Sequence, residues 1–294
     1  MERGSVEKIR LSEHVSVSVV IPHFSDSRSL NLSGLLRDIK SQSFKEIEII
    51  IVKGISPQGK AINQGIFETR GEILIIIDDD SRLGHARVIE NLREVIRKNP
   101  SVGMVGASIV PSERENWFQR LAARQFPRYG MPIVKEVTDS DLPGHPCVAF
   151  PRNVFIQAGM ERADILRGLD PDLRVRIRKA GYRVVLAPDT WAHHPLPPSL
   201  FKFIRTFLRN GYGSAYLQVT HPEINYDTDE ATDSKAFTAK HSLAFRMLRF
   251  PLRLVSSLVT FQWLRLLGYT VYLIGYFGGW FRFALLKNLP LRES

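Results

Sequence analysis

The chain has 294 residues, of which 44% are hydrophobic and 24% are charged. This is an ordinary globular composition, long enough for one large domain or one domain with an appendage. The single cysteine, Cys147, excludes an intrachain disulfide and fits a reducing compartment. The net charge of +10 indicates an anionic partner, which is a nucleic acid, a phosphorylated ligand or an anionic membrane surface. The N-terminal segment lacks an apolar stretch, so no secretory signal is predicted.

The first third of the chain alternates between strand and helix patterns. Apolar, β-branched segments predict buried strands at residues 15–21, 47–52, 73–77 and 102–110. Apolar residues at helical spacing predict helices at residues 30–39, 60–69 and 88–98. Such alternation predicts an α/β fold with a Rossmann-like, mostly parallel sheet and helices on both faces.

Two later segments also carry clear helix patterns. Residues 171–180 follow Asp170, which is a good N-cap, and the pattern turns Arg174 and Arg178 towards solvent. Residues 199–208 form an amphipathic pattern that Gly211 and Gly213 are expected to end.

Three adjacent carboxylates, Asp78, Asp79 and Asp80, follow the third strand directly. Ligands of such sheets bind beyond the carboxyl ends of the strands. Side chains alternate along a strand, so Asp78 and Asp80 are expected to share one side while Asp79 points away and is the most dispensable. Paired carboxylates suit Mg²⁺ or Mn²⁺, which would relieve their repulsion and bridge a diphosphate. The competing interpretation is a solvated turn.

Two further positions later in the chain are candidates for metal binding or catalysis. The pair His193-His194 would favour a Mn²⁺-type site if it lay near the aspartates, although a histidine pair in a loop is commonly a surface feature. Asp170 is either a simple helix cap or, if it faces a pocket, a general base.

Three segments in this order resemble the family 2 glycosyltransferases of the GT-A fold. They are "GKAINQGIFETRGEILIIIDDDS", "AFPRNVFIQAGM" and "GLDPDLRVRIRKAGYRVVLAPDTWAHHP". The resemblance covers residues 15–195. Each segment alone is a weak signal, and it is the combination of the three that is specific. The Q-x-x-R-W motif of processive synthases is absent, which indicates a non-processive enzyme.

The resemblance implies an inverting transfer of a sugar from a nucleotide-diphosphate donor, with a divalent cation, Mn²⁺ or Mg²⁺, as cofactor. It assigns the catalytic base to Asp170 and the metal to Asp80 and His194. It assigns donor binding to Asp78, which would contact the ribose or the sugar. Pro22, after the first strand, and Lys60, near the diphosphate, would also bind the donor.

Two departures from the family pattern leave other functions open. Lys53 stands where the family usually has an acidic pair that reads the base, and Leu169 replaces one carboxylate before the helix. The base of the donor is therefore not specified. The alternatives are a nucleotidyltransferase-like metal enzyme and a non-catalytic, membrane-anchored protein that binds sugar nucleotides. A G-x-x-x-x-G-K-[ST] phosphate loop is absent, which disfavours the first of these.

The end of the chain differs from the rest in composition. From residue 241 onwards Glu293 is the only acidic residue, while arginines flank an apolar, aromatic-rich segment. The uncharged stretch 266–281 is shorter than the roughly 20 residues of a spanning helix. We expect an amphipathic, apolar helical region, with glycines that permit close packing, that is associated with the cytoplasmic face of the cell membrane and either lies on the membrane or spans it. The competing interpretation is an oligomer interface or a helical hairpin in the core. The acceptor would be lipid-linked or a membrane-proximal glycan. The basic residues would bind anionic lipid rather than nucleic acid.

The expected organisation has three parts. A catalytic domain of GT-A type spans residues 1–220, with its core at 15–195. An acidic linker spans residues 221–240, and the membrane-associated helical region spans residues 241–294.

Overall fold

The computed structural model describes residues 4–24, 29–112, 115–126, 132–221 and 243–285. The strands are β1 (Ser5–Arg10), β2 (Val17–His23), β3 (Ile47–Lys53), β4 (Ile73–Ile76), β5 (Arg82–Leu83), β6 (Val102–Val110), β7 (Thr138–Asp139), β8 (Val148–Pro151) and β9 (Arg183–His193). The α-helices are α1 (Ser29–Lys40), α2 (Gln58–Phe67), α3 (Val88–Lys98), α4 (Trp117–Gln125), α5 (Arg152–Gln157), α6 (Leu169–Lys179), α7 (Leu200–Thr220), α8 (Leu243–Val259) and α9 (Trp263–Trp280), and a π-helix, Phe281–Leu285, follows α9.

The described residues fall into two compact units. The first contains the described parts of residues 1–113 and 128–195, and the second contains those of 114–127, 196–230 and 239–294. The predicted acidic linker, 221–240, lies outside the described residues except for His221. The predicted domain boundaries therefore stay predictions.

The first unit is built on one mixed sheet. The strand order is β1-β3-β2-β4-β8-β6-β9-β5, with β7 paired to β9. Strand β2 runs parallel to β3 and β4, and β6 runs parallel to β9. Strand β8 lies antiparallel between β4 and β6, and the edge strand β1 is antiparallel to β3. The α/β prediction is confirmed, but the sheet is mixed rather than mostly parallel, because apolar strand patterns carry no information on strand direction.

Helices cover both faces of this sheet, as predicted. On one face the apolar sides of α1 and α3 share a core with residues of β2, β3, β4, β6 and β9. On the other face α2, α5 and α6 pack against the same strands and β8. Because both faces are covered, the central strands are buried along their whole length, which explains their near-continuous apolar sequences.

Helix α6 starts differently from the sequence prediction. Its N-cap is Gly168, with φ of 91°, so Asp170 lies in the first turn and does not cap the helix. Arg174 is buried rather than solvent-exposed, because its guanidinium donates to Asp141 at 3.1 Å and to the carbonyl oxygen of Pro143 at 2.6 Å. The helix pattern missed this because a buried arginine looks like a surface residue in sequence.

The second unit contains α4, α7, α8 and α9. Helix α7 continues through Gly211 and Gly213, where the sequence predicted its end. At Gly211 and Gly275 the backbones of α7 and α9 approach so closely that a Cβ atom at either position would meet main-chain atoms of the other helix. The glycines therefore serve helix packing, which offsets their low helix propensity. Among the described residues, no helix is long and apolar enough to cross a membrane.

Candidate active site

The aspartate segment forms a tight turn directly after β4. The N–H of Ser81 donates to the carbonyl oxygen of Asp78 at 3.0 Å, which closes the turn. Strand geometry has already ended at Ile76, yet the three side chains still diverge as predicted. Asp78 and Asp80 are partly exposed, whereas Asp79 is only 2% exposed. A simple solvated turn is therefore excluded.

Asp79 points into the first unit and not into solvent. Its Oδ2 lies 2.8 Å from Nδ1 of His23, at the end of β2, and both side chains are buried. The expectation that Asp79 is the most dispensable of the three is therefore wrong for folding, because its loss would leave His23 buried without this carboxylate.

The strand register explains how His194 reaches the aspartates. Strand β5 follows the turn directly and pairs antiparallel with the end of β9, Arg82 opposite His193. His194, the residue that follows β9, therefore lies beside the aspartate turn. Its Nε2 lies 3.3 Å from Oδ1 of Asp80 and 3.9 Å from Oδ2 of Asp78. His193 faces another way, with Nδ1 at 3.0 Å from the carbonyl oxygen of Pro111.

This cluster of Asp78, Asp80 and His194 has the chemistry of a divalent-cation site. Each side chain offers one ligand atom, and these atoms lie within 4.8 Å of one another. Two carboxylates with one imidazole suit Mn²⁺, and carboxylates alone suit Mg²⁺. The residues present therefore fit a divalent cation, without fixing its identity.

The electrostatics of Asp78 fit the same interpretation. Burial raises the pKa of Asp78 to about 6, and the charges of Asp80 and Asp170 add to this effect, while His194 and His145 oppose it. A carboxylate in these surroundings gains from a nearby positive charge, which a bound cation would supply.

Asp170 approaches the aspartate turn through one intermediate residue, His145. Strand β8 is antiparallel to β4, so the loop before β8 lies beside the residues after β4. The N–H of Asp78 donates to the carbonyl oxygen of His145 at 2.9 Å. The N–H of His145 donates in turn to Oδ1 of Asp170 at 2.8 Å, and the ring nitrogen Nδ1 lies 2.9 Å from the same oxygen.

The ionisation of this pair is set by its surroundings. Burial lowers the pKa of His145, but the carboxylates of Asp170 and Glu161 outweigh it and hold that pKa well above the usual range. For Asp170, burial favours the neutral acid, yet the charge and N–H groups of His145, with the charge of Arg174, hold its pKa well below the usual range. Asp170 is therefore a carboxylate at neutral pH, and its side chain is 34% exposed.

The remaining predicted residues lie at the same edge of the sheet without joining the cluster. Pro22 precedes His23 near the carboxyl end of β2. Lys60 is exposed in the first turn of α2, so its predicted contact with a diphosphate stays a prediction.

Sequence reasoning missed Gln58, whose Nε2 donates to Oδ1 of Asp78 at 2.7 Å. Gln58 begins α2, two residues before Lys60, so the start of this helix was the available signal. His145 was missed as well, since only the antiparallel β4–β8 register brings it to the turn.

Known structures include several with a related architecture. Mannosyltransferase PcManGT from Pyrobaculum calidifontis, solved with GDP-Man and Mn²⁺, superposes over 91% of this chain and 88% of its own, with a TM-score of 0.55 and 14% identity. The likeness confirms the GT-A fold. S. aureus TarS 1–349, solved with UDP-GlcNAc, matches 72% of this chain and 70% of its own, with a TM-score of 0.45 and 11% identity. A sequence search of curated proteins found no match.

At the level of sequence families, the model described as glycosyl transferase family group 2 matches residues 73–286. That range begins with β4, includes the aspartate turn, Asp170 and His194, and continues through the described end of the second unit. It spans well over half of the chain, and we conclude that this protein is a glycosyltransferase that belongs to glycosyl transferase family group 2.

Proposed function

We propose that this protein transfers a sugar from a nucleotide-diphosphate donor to an acceptor hydroxyl, with inversion at the anomeric carbon. One observation carries the proposal: the cluster of Asp78, Asp80 and His194 and the carboxylate of Asp170 are joined through a single residue, His145. A donor-binding group and a base are thereby held side by side, as a displacement at one carbon requires.

In the proposed reaction Asp170 acts as the general base. The acceptor oxygen forms a bond to the anomeric carbon while the bond from that carbon to the diphosphate oxygen breaks, and its electron pair leaves with the diphosphate. The hydroxyl proton passes to the carboxylate of Asp170. A weak base suffices here, because the acceptor hydroxyl becomes strongly acidic as its new bond forms. The low pKa of Asp170 keeps it ionised and ready at any pH near neutral.

Asp78, Asp80 and His194 would hold the donor diphosphate through a divalent cation. When bound, Mn²⁺ or Mg²⁺ would supply Lewis-acid stabilisation of the charge that develops on the leaving diphosphate. Gln58 fixes the orientation of the Asp78 carboxylate. The similar mannosyltransferase, which was solved with GDP-Man and Mn²⁺, supports a sugar nucleotide and a cation of this class.

The test is a panel of sugar nucleotides with Mn²⁺ or Mg²⁺, in which donor hydrolysis or transfer is measured and the anomeric configuration of the product is read by NMR. We expect one donor to be consumed with inversion, and Asp170→Asn to lower turnover by about 10²- to 10⁴-fold while donor binding persists. Full transfer by Asp170→Asn, or a product with retained configuration, would show that the base assignment is wrong. Consumption of no donor would refute the transfer itself.

We also propose that the acceptor is lipid-linked or membrane-proximal and that the second unit binds the cytoplasmic face of the cell membrane. Its support is an exposed apolar stripe, defined as the side chains on α8 and in the turn that follows it: Leu252, Val255, Leu258, Val259 and Phe261. The spacing of three and four residues places the helical members on one side. Arg246, Arg249 and Arg253 add positive charge on the same helix, which suits anionic headgroups.

Vesicle co-sedimentation of the full chain tests this part of the proposal. We expect binding to vesicles with phosphatidylglycerol, weaker binding to pure phosphatidylcholine, and a loss of binding in Val255→Glu but not in the matched control Val255→Thr. If the protein stays in the supernatant with every vesicle, or if Val255→Glu binds like Val255→Thr, the second unit does not bind lipid in this way.

A further inference from the structure

His145 occupies a position that the proposed reaction does not yet explain. It lies in the loop before β8 and is 3% exposed, yet its two ring nitrogens face two different carboxylates. Nε2 lies 2.8 Å from Oε1 of Glu161, and Nδ1 lies 2.9 Å from Oδ1 of Asp170. A neutral imidazole carries a single N–H and can donate to only one of them, whereas an imidazolium donates to both.

Glu161 makes the positive charge necessary. Its carboxylate is fully buried, and within the described residues its second oxygen, Oε2, has no hydrogen-bond partner. A buried carboxylate is tolerated when a charge compensates it, and His145 stands in that position. Glu161 is itself fixed to α2, because Asn63 donates to its carbonyl oxygen at 2.7 Å and accepts from its N–H at 3.0 Å.

The two oxygens of Asp170 are left in different states. Oδ1 receives both the N–H and the ring contact of His145, and among the described residues no hydrogen bond engages Oδ2. Gly144 lies directly against this carboxylate: a Cβ atom there would be 3.1 Å from Cγ of Asp170 and 3.3 Å from Oδ2. The carboxylate is therefore held at Oδ1 by His145, while its side chain as a whole stays 34% exposed.

We propose that His145 is the positioning residue for Asp170: anchored by Glu161, it holds Oδ1 and leaves Oδ2 as the oxygen that takes the acceptor proton. This inference rests on the proposed function, in which Asp170 is the base. The carbonyl oxygen of His145 also accepts from the N–H of Asp78, so the same residue sets the distance between the base and the donor-binding turn. His145 itself touches no reacting atom in this scheme.

Two substitutions of His145 separate its two ring contacts. The amide nitrogen of His145→Gln can reach the position of Nε2 and keep the Glu161 contact, but it loses the contact with Asp170. The amide nitrogen of His145→Asn can reach the position of Nδ1 and keep the Asp170 contact, but it loses Glu161. Both variants keep the backbone hydrogen bonds. If His145→Asn folds poorly, the double variant His145→Asn/Glu161→Gln removes the uncompensated buried charge.

The experiment measures kcat, the KM for the donor, Mn²⁺ affinity by electron paramagnetic resonance and the thermal midpoint for each variant. We expect His145→Gln to lower kcat by roughly 10- to 100-fold while donor KM and Mn²⁺ affinity change by less than about threefold. We expect His145→Asn, or its double variant, to recover most of kcat. His85→Gln, at a histidine packed on Trp191, controls for the substitution itself and should leave kcat within about twofold.

Each outcome decides the question. If Asp170→Asn abolishes transfer while His145→Gln keeps wild-type kcat, the base assignment holds and the positioning role is wrong. If the two His145 variants lose kcat equally, the contact with Asp170 is not the one that matters and the positioning role is wrong. If kcat and donor affinity fall together with the thermal midpoint, His145 serves folding only. If the wild-type protein transfers no sugar from any donor, the proposed function fails, and the inference that rests on it fails with it.

Discussion

Replacing Asp79 or Asp80 by alanine should affect stability very differently, although the two residues are adjacent and chemically identical. Asp79 is paired with His23 at 2.8 Å, and both side chains are about 3% exposed. Removing one member of a buried, hydrogen-bonded pair costs about 3–5 kcal/mol when the partner stays buried. Asp79→Ala should therefore lower the thermal midpoint by about 6–20 °C, taking about 2–4 °C for each kcal/mol.

Asp80→Ala should behave differently because it removes a repulsion. Its carboxylate is partly exposed and lies near that of Asp78 in the same cluster. In the absence of a cation, the substitution should change the free energy of unfolding by less than about 0.5 kcal/mol or increase it.

Thermal denaturation in EDTA compares these variants directly. A double-mutant cycle with His23→Ala should give a coupling energy of about 1–3 kcal/mol between His23 and Asp79. If Asp79→Ala melts at the same temperature as Asp80→Ala, or if the cycle shows no coupling, then the buried pair does not stabilise the turn and the division of the three aspartates is wrong.

Three further predictions concern pH, helix packing and the loop that carries His145. Mn²⁺ affinity, measured by titration, should fall at least tenfold per pH unit below pH 6, because the proton of Asp78 must leave before a cation binds; an affinity independent of pH from 4 to 7 would contradict this. Gly275→Ala should destabilise the second unit by about 1–3 kcal/mol, since its Cβ would meet the main chain of Leu208, whereas Gly278→Ala, which has open space, should stabilise it by about 0.5–1 kcal/mol, and equal melting curves would refute the packing. Arg174→Met should speed hydrogen exchange at residues 141–147, because this arginine ties that loop to α6, and unchanged exchange would show that the tie is unimportant.

Local patterns predicted the elements well where a buried side determines the sequence. Helix α3 and strand β6 have the predicted bounds, since each presents an apolar side or a continuous apolar run to the core. Strand β1 was missed, because an edge strand with exposed residues on both sides has a polar sequence. Helix α7 was predicted too short, because the glycines that permit its contact with α9 look like stop signals in sequence.

The candidate site was predictable in its parts but not in its connections. Asp78, Asp80 and His194 carry the resemblance to the family, and the structure brings them together. The bonds that join Asp170 to Asp78 run through His145, which reaches the turn only because β8 pairs antiparallel with β4. No local pattern encodes such a pairing. The residues that bind or react with substrates were therefore predicted from the sequence, whereas His145, which connects them, was not.

The most direct test of the account is donor binding measured with and without a divalent cation. We expect at least one nucleotide-diphosphate sugar to raise the thermal midpoint of the wild-type protein in Mn²⁺ but not in EDTA, and to have no such effect on Asp80→Ala. Binding that needs no cation and survives in Asp80→Ala, or the absence of binding by any sugar nucleotide, would contradict the assignment of the Asp78, Asp80 and His194 cluster as the donor site.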